Sequence, residues 1–192
     1  MKKQLELNLY KGTHGGRRPG SGRKRIHSAG VSHRERPQIN HYLPLHVNFK
    51  YKLYIRNDHF KNILFKSYMN SSLKDLYVIY YSIESNHVHL IIETLTNSSL
   101  TTGMKSLLNT ITRFIGKGTI QIERYHLHIL RSPTEVSNAV NYVINNHEKH
   151  TGKNDQTFSG MFYEPTTWLL KNCNSARSHK SRPVKCAHHS GA

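Results

Sequence analysis

Two runs dense in β-branched and aromatic residues stand almost back to back near the middle of the chain. The first is Leu76-Tyr77-Val78-Ile79-Tyr80-Tyr81-Ser82-Ile83, and the second runs from His87 to Glu93. Such side chains favour extended backbone, and the short turn around Ser85-Asn86 folds one run against the other as an antiparallel hairpin. Any fold for this chain must be built around that hairpin.

The flanking segments say what surrounds it. Leu45 to Leu53 alternates apolar and polar residues, the period-2 mark of a strand with one buried face. Asn57 or Asp58 is placed to cap a helix carrying Phe60, Ile63, Leu64 and Tyr68 on one side. After the hairpin, Ser98 or Ser99 opens a second helix, whose stripe is Leu100, Met104, Leu107, Leu108, Ile111, Phe114 and Ile115. Gly116 and Gly118 end it. A fourth strand lies within Ile120 to Leu130. Ser132 as N-cap, Pro133 at the first helical position and Glu135 in a capping box then start a third helix, with Val136, Ala139, Val140, Val143 and Ile144 as its stripe. The order β-α-β-β-α-β-α predicts an α+β, ferredoxin-like antiparallel sheet with helices on one face and an additional C-terminal helix.

With 192 residues the chain suits one ordinary domain plus arms. Its hydrophobic share of 36%, against roughly 45–50% in globular chains, places part of it outside a core. Residues 1–42 are expected to be a basic Gly/Arg-rich arm, 43–152 the folded domain, and 153–192 a basic tail with an apolar patch at Trp168-Leu169-Leu170. No internal repeat is visible. Cys173 and Cys186 lack CxxC spacing and read as isolated tail thiols.

Charge names the partner class. Lys and Arg number 28 against 11 Asp and Glu, a formal net charge of +17. Such a surface attracts polyanions and gains affinity by releasing their counterions, which favours nucleic acid over an anionic membrane. No apolar run approaches the roughly 18 residues of a membrane span, and the first residues lack the apolar core of a signal peptide, so a cytoplasmic protein is expected. Within the arm, Arg17, Arg18, Arg23, Lys24 and Arg25 stand among glycines. They either enter a DNA minor groove or form a solvated tail that adds only non-specific affinity.

The residues that carry chemistry lie on the second hairpin strand and the third helix. In His87-Val88-His89 the two imidazoles project from one face of a strand, half of a divalent-metal site. A chain with 15 histidines also produces such pairs by chance. Tyr142 and Asn146 are spaced i, i+4 on a helical face flanking the apolar stripe. From there a phenol could attack a scissile phosphate polarised by a metal on His87 and His89, with the Asn146 carbonyl as third ligand. The bland alternative is a boundary tyrosine covering the core edge. His126 and His128 form a second HxH on the fourth strand, open to a phosphate contact or to no role.

Ser85-Asn86-His87-Val88-His89-Leu90-Ile91 and Asn141-Tyr142-Val143-Ile144-Asn145-Asn146-His147-Glu148-Lys149-His150 resemble the HUH motif and the tyrosine helix of single-tyrosine transposases of the HUH nuclease superfamily. They are most similar to the REP-associated group. Arg124-Tyr125-His126 with Arg131-Ser132-Pro133, the Arg-Pro-Gly-Ser-Gly-Arg-Lys arm and Thr167-Trp168-Leu169-Leu170 extend the resemblance, with gaps, from about Arg17 to Leu170. It implies a nuclease that nicks single-stranded or hairpin DNA, leaves a 5′-phosphotyrosine and a free 3′-hydroxyl, and rejoins strands. It further implies Mg²⁺ or Mn²⁺ as cofactor and a homodimer. Carried over by position, His87 and His89 are metal ligands, Tyr142 is the nucleophile on the catalytic helix and Asn146 is the helix-borne ligand, where many relatives carry a glutamine. Arg124 and His126 are assigned to DNA contact. The competing expectations are a domesticated, catalytically silent binder of DNA or RNA hairpins, and an RNA-binding module in which Tyr77 and Tyr81 serve as base-stacking aromatics.

Overall fold

The computed structural model describes residues 37–116, 118–152 and 157–173. The arm cations Arg17, Arg18, Arg23, Lys24 and Arg25, and Cys186, lie outside the described residues. The elements are β1 (Leu45–Lys50), α1 (Asp58–Ser72), β2 (Leu76–Ile83), β3 (His87–Thr94), α2 (Asn97–Ile115), β4 (His126–Ile129), α3 (Pro133–Ile144), α4 (Asn146–Thr151), β5 (Ser159–Met161) and α5 (Trp168–Lys171). All sheet pairings are antiparallel, in the order β4-β1-β3-β2-β5.

Alternation along the strands sorts the side chains into two cores. Leu45, Val47 and Phe49 of β1 and Val88, Leu90 and Ile92 of β3 join Tyr81 and Ile83 of β2 under α1 and α2. On the opposite face, Ile79, Tyr80 and Ile91 pack against Val136, Val140, Val143 and Ile144 of α3. The β2–β3 register slips between Val78 and Tyr80, and at this irregularity Ile79 joins Tyr80 in the second core. Because α3 lies over β2 and β3, the same face of β1 and β4 stays open, with His126 and His128 exposed and His46 and Asn48 half-buried. The RNA-binding expectation meets an obstacle here, since Tyr81 is buried beneath α1 against Phe65 and Tyr68 and offers no ring to a base.

The helix starts follow their caps. Asn57 Oδ1 accepts the Phe60 N–H at 2.9 Å, and Ser132 Oγ accepts the Glu135 N–H at 3.2 Å. Glu135 in turn accepts the Arg131 N–H at 2.6 Å, and that bond holds its carboxyl below the usual carboxylate range. The cap of α2 lies two or three residues before Ser98 or Ser99, because Thr96 supplies it, accepting from the Ser99 N–H at 3.0 Å.

The fold also continues past residue 152, where the sequence pattern decays and a tail is expected. β5 adds an edge strand beside β2, and Phe162 is buried against Phe65 and Tyr68. Thr166 and Thr167 donate four of their backbone and hydroxyl groups to the buried Glu93 carboxylate, which fixes the start of α5. Leu170 and Cys173 are buried in the second core. Among the described residues no helix is long and apolar enough to cross a membrane.

Candidate functional site

The open face of the sheet is lined by imidazoles. His87 and His89 project from β3, ring centroids 4.9 Å apart and nearly perpendicular. In the next strand His46 lies diagonally across from His89: their Cα partners are Ile91 and Asn48 respectively. His128 of β4 stands directly opposite His46, and His126 opposite Asn48. Antiparallel pairing puts such partners on one face.

Hydrogen bonds fix two of these rings. His87 Nδ1 lies 2.7 Å from Asn86 Oδ1; a carboxamide oxygen only accepts, so Nδ1 carries a hydrogen, which in the neutral ring leaves the lone pair on Nε2. His89, buried, has its Nδ1 3.2 Å from His46 Nε2. Burial, with His128 nearby as a second cause, pushes His46 down to about 4, so this ring is neutral at physiological pH.

Helix α3 brings the phenol to the same place. Its buried stripe docks on β2 and β3, and Tyr142, on the flank of that stripe, is half-buried. The Tyr142 ring meets His89 edge-on, at 5.1 Å and 88°, and His46 at 6.1 Å. The Lys149 ammonium sits 4.9 Å from the centre of the Tyr142 ring, a cation–π contact that holds a positive charge beside the hydroxyl-bearing ring.

Asn146 is placed differently from the i, i+4 expectation. Helix α3 ends at Ile144, Asn145 takes a non-helical conformation (φ −100°, ψ 14°), and Asn146 opens α4. Its side chain is completely buried, and neither Oδ1 nor Nδ2 has a hydrogen-bond partner. The neighbouring His147 donates its Nδ1–H to Glu84 Oε2 at 3.0 Å, while Ser82 Oγ donates to Glu84 Oε1 at 3.0 Å. Because Ser82 is the Cα partner of His89, this buried carboxylate ties α4 to the hairpin beside the imidazoles.

The fold thus brings His87, His89 and Tyr142 together. Asn146 is buried nearby in sequence but unpaired, and Arg124 and His126 are exposed on and before β4. His46, Lys149 and the Glu84–His147 pair were not singled out by sequence. The signal for His46 exists in the alternation of β1, whose polar face reads His46, Asn48, Lys50; what is missing is the register that sets this face beside His89. Among the described residues no three His, Cys, Asp or Glu side chains converge as a metal set.

No family model matches the chain, and no curated protein matches it. Among solved structures, the fold is similar to that of a REP-associated tyrosine transposase bound to a REP hairpin, with a TM-score of 0.56 and 15% sequence identity. The match covers 67% of this chain and 82% of that one. At this identity the likeness is one of fold, and it extends to the α+β antiparallel plan that the sequence predicts.

Proposed function

We propose that this chain nicks and rejoins single-stranded DNA at hairpins, using Tyr142 as a covalent nucleophile. The observation that carries the proposal is the packing of the Tyr142 ring against His89, on the strand where His87 and His89 share a face. The same ring also meets His46, so Tyr142 faces the imidazole-lined side of the sheet rather than only covering the core edge. The likeness of fold to a protein solved on a REP hairpin supports hairpin DNA as the substrate class, as does the net charge of +17.

His87, His89 and Asn146 are the residues that would hold a divalent cation, and their donor chemistry suits one. His87 presents Nε2 as a lone-pair donor, His89 lies beside it, and the buried Asn146 carboxamide has an unused oxygen. Two imidazole nitrogens and an amide oxygen, completed by phosphate and water oxygens, suit Mn²⁺ better than the oxygen-demanding Mg²⁺. When bound, such a cation would polarise the scissile phosphate and stabilise the charge gathering on its oxygens.

The rest of the chemistry belongs to the chain. The Tyr142 oxygen forms a bond to phosphorus and gives up its proton to solvent. The bond from phosphorus to the 3′ oxygen breaks, and that oxygen gains a proton and leaves as a 3′-hydroxyl. The product is a 5′-phosphotyrosine, which a 3′-hydroxyl attacks in the reverse sense to restore a diester. The Lys149 ammonium beside Tyr142 attracts the phosphate into reach. Hydrogen bonds of Asn86 and His46 to the imidazoles hold the rings in place.

The test is incubation of the full chain with labelled single-stranded hairpin DNA, with Mn²⁺ or EDTA, beside Tyr142→Phe. A covalent adduct that needs metal and disappears in the variant, while hairpin binding persists, is the expected result. Tight binding with no adduct under any condition would instead make the protein a catalytically silent hairpin binder.

A further inference from the structure

We propose that His46 is a positioning residue that fixes the tautomer of His89, accepting the Nδ1–H of that ring so that the His89 Nε2 lone pair faces the cation. The inference rests on the metal-dependent reading above, but its first test does not.

The geometry leaves two arrangements. His46 Nε2 and His89 Nδ1 are 3.2 Å apart, and between two neutral imidazoles one nitrogen donates while the other accepts. If His46 donated, His89 would spend its Nδ1 lone pair on the contact and carry its own hydrogen on Nε2, leaving no nitrogen for a metal. If His89 donates, its Nε2 is a ligand. His87 shows which arrangement the site is built for: its Nδ1 faces Asn86 Oδ1, which only accepts, so its lone pair is on Nε2. With His46 as acceptor, both rings of the HxH pair present the same nitrogen. The hydrogen bond at one ring nitrogen sets the role of the other, and a partner on the far side of a ligand is a general device for orienting it.

His46 is also held as an orienting group should be. It stands on β1, in the interior of the sheet between β4 and β3, so both neighbours pin its backbone. Its ring lies 5.3 Å from that of His89 and tilted 30°, close enough to restrict rotation of both. Asn86 is next to His87 in sequence, whereas His46 reaches His89 only through strand register.

The experiment is ¹⁵N histidine NMR on the full chain without metal, then with Zn²⁺ as a diamagnetic probe. Metal-free wild type is expected to show His89 as the Nδ1–H tautomer. His46→Ala should move His89 towards Nε2–H and weaken Zn²⁺ binding by about 10- to 100-fold. His46→Gln, whose side-chain oxygen accepts the same hydrogen, should restore both. Nε2–H on His89 in the wild type, or Zn²⁺ bound through His89 Nδ1 or His46 itself, would overturn the proposal. An unchanged tautomer in a folded His46→Ala protein would do the same. If His89 behaves as expected but wild type binds no divalent ion, His46 retains its orienting role and the metal-dependent function fails instead.

Discussion

Asn146 is the residue whose environment is hardest to explain by folding alone. A buried carboxamide without partners costs on the order of 1–3 kcal/mol, and both its polar atoms are in that state. A near-isosteric apolar side chain should remove the penalty. Asn146→Leu is therefore expected to raise the stability of the metal-free protein by about 1 kcal/mol while abolishing or strongly weakening Mn²⁺ binding. Denaturant unfolding and calorimetric titration read the two effects separately. A destabilised variant that binds Mn²⁺ as well as wild type would assign Asn146 to packing. His46 poses the opposite case, a polar residue whose partner is visible but whose purpose depends on the direction of one hydrogen bond.

At the scale of elements, α2 approaches β2 closely at Gly103. A Cβ built on Gly103 would stand 2.5 Å from the Cβ of Leu76, an atom rooted in the strand backbone. Alanine gains about 1 kcal/mol of helix propensity over glycine, but overpacking costs about 1–3 kcal/mol. Gly103→Ala is thus expected to lower the thermal midpoint, by several degrees if the clash wins by 1 kcal/mol or more, and an unchanged or raised midpoint would show that the helix can slide. The hairpin, the three long helices and the Ser132 cap were legible because each is written locally, in periodicity or in a capping residue. The Thr96 cap is hard to single out in the sequence because Ser98 and Ser99 offer the same chemistry a turn-fraction later. α5 was visible only as the apolar patch Trp168-Leu169-Leu170, and β5 had no strand signature: Met161-Phe162-Tyr163 is too short a run to show a period, and the burial of Phe162 depends on a strand edge and on helix α1 far away in sequence. The candidate site divided the same way. His87, His89 and Tyr142 lie within motifs, whereas His46 and the Glu84–His147 tie exist only through tertiary pairing.

The whole molecule combines a strongly basic chain with an imidazole-lined face that α3 leaves partly uncovered. On the proposed function, its excess of 17 positive charges would make hairpin binding an electrostatic event, so the logarithm of affinity should fall linearly with the logarithm of salt concentration. A contact with six or more phosphates would give a slope of roughly −4 or steeper on single strands, measurable by fluorescence anisotropy with the Tyr142→Phe protein so that no adduct intervenes. A flat salt dependence would locate the affinity in base or aromatic contacts instead. The central claim, however, concerns one oxygen atom. The most direct test is to trap the covalent complex with hairpin DNA in Mn²⁺, digest both partners, and locate the nucleotide-bearing peptide by mass spectrometry. The account predicts the phosphodiester remnant on the Tyr142 hydroxyl. A remnant on any other residue, or none in a preparation that cleaves the DNA, would contradict it.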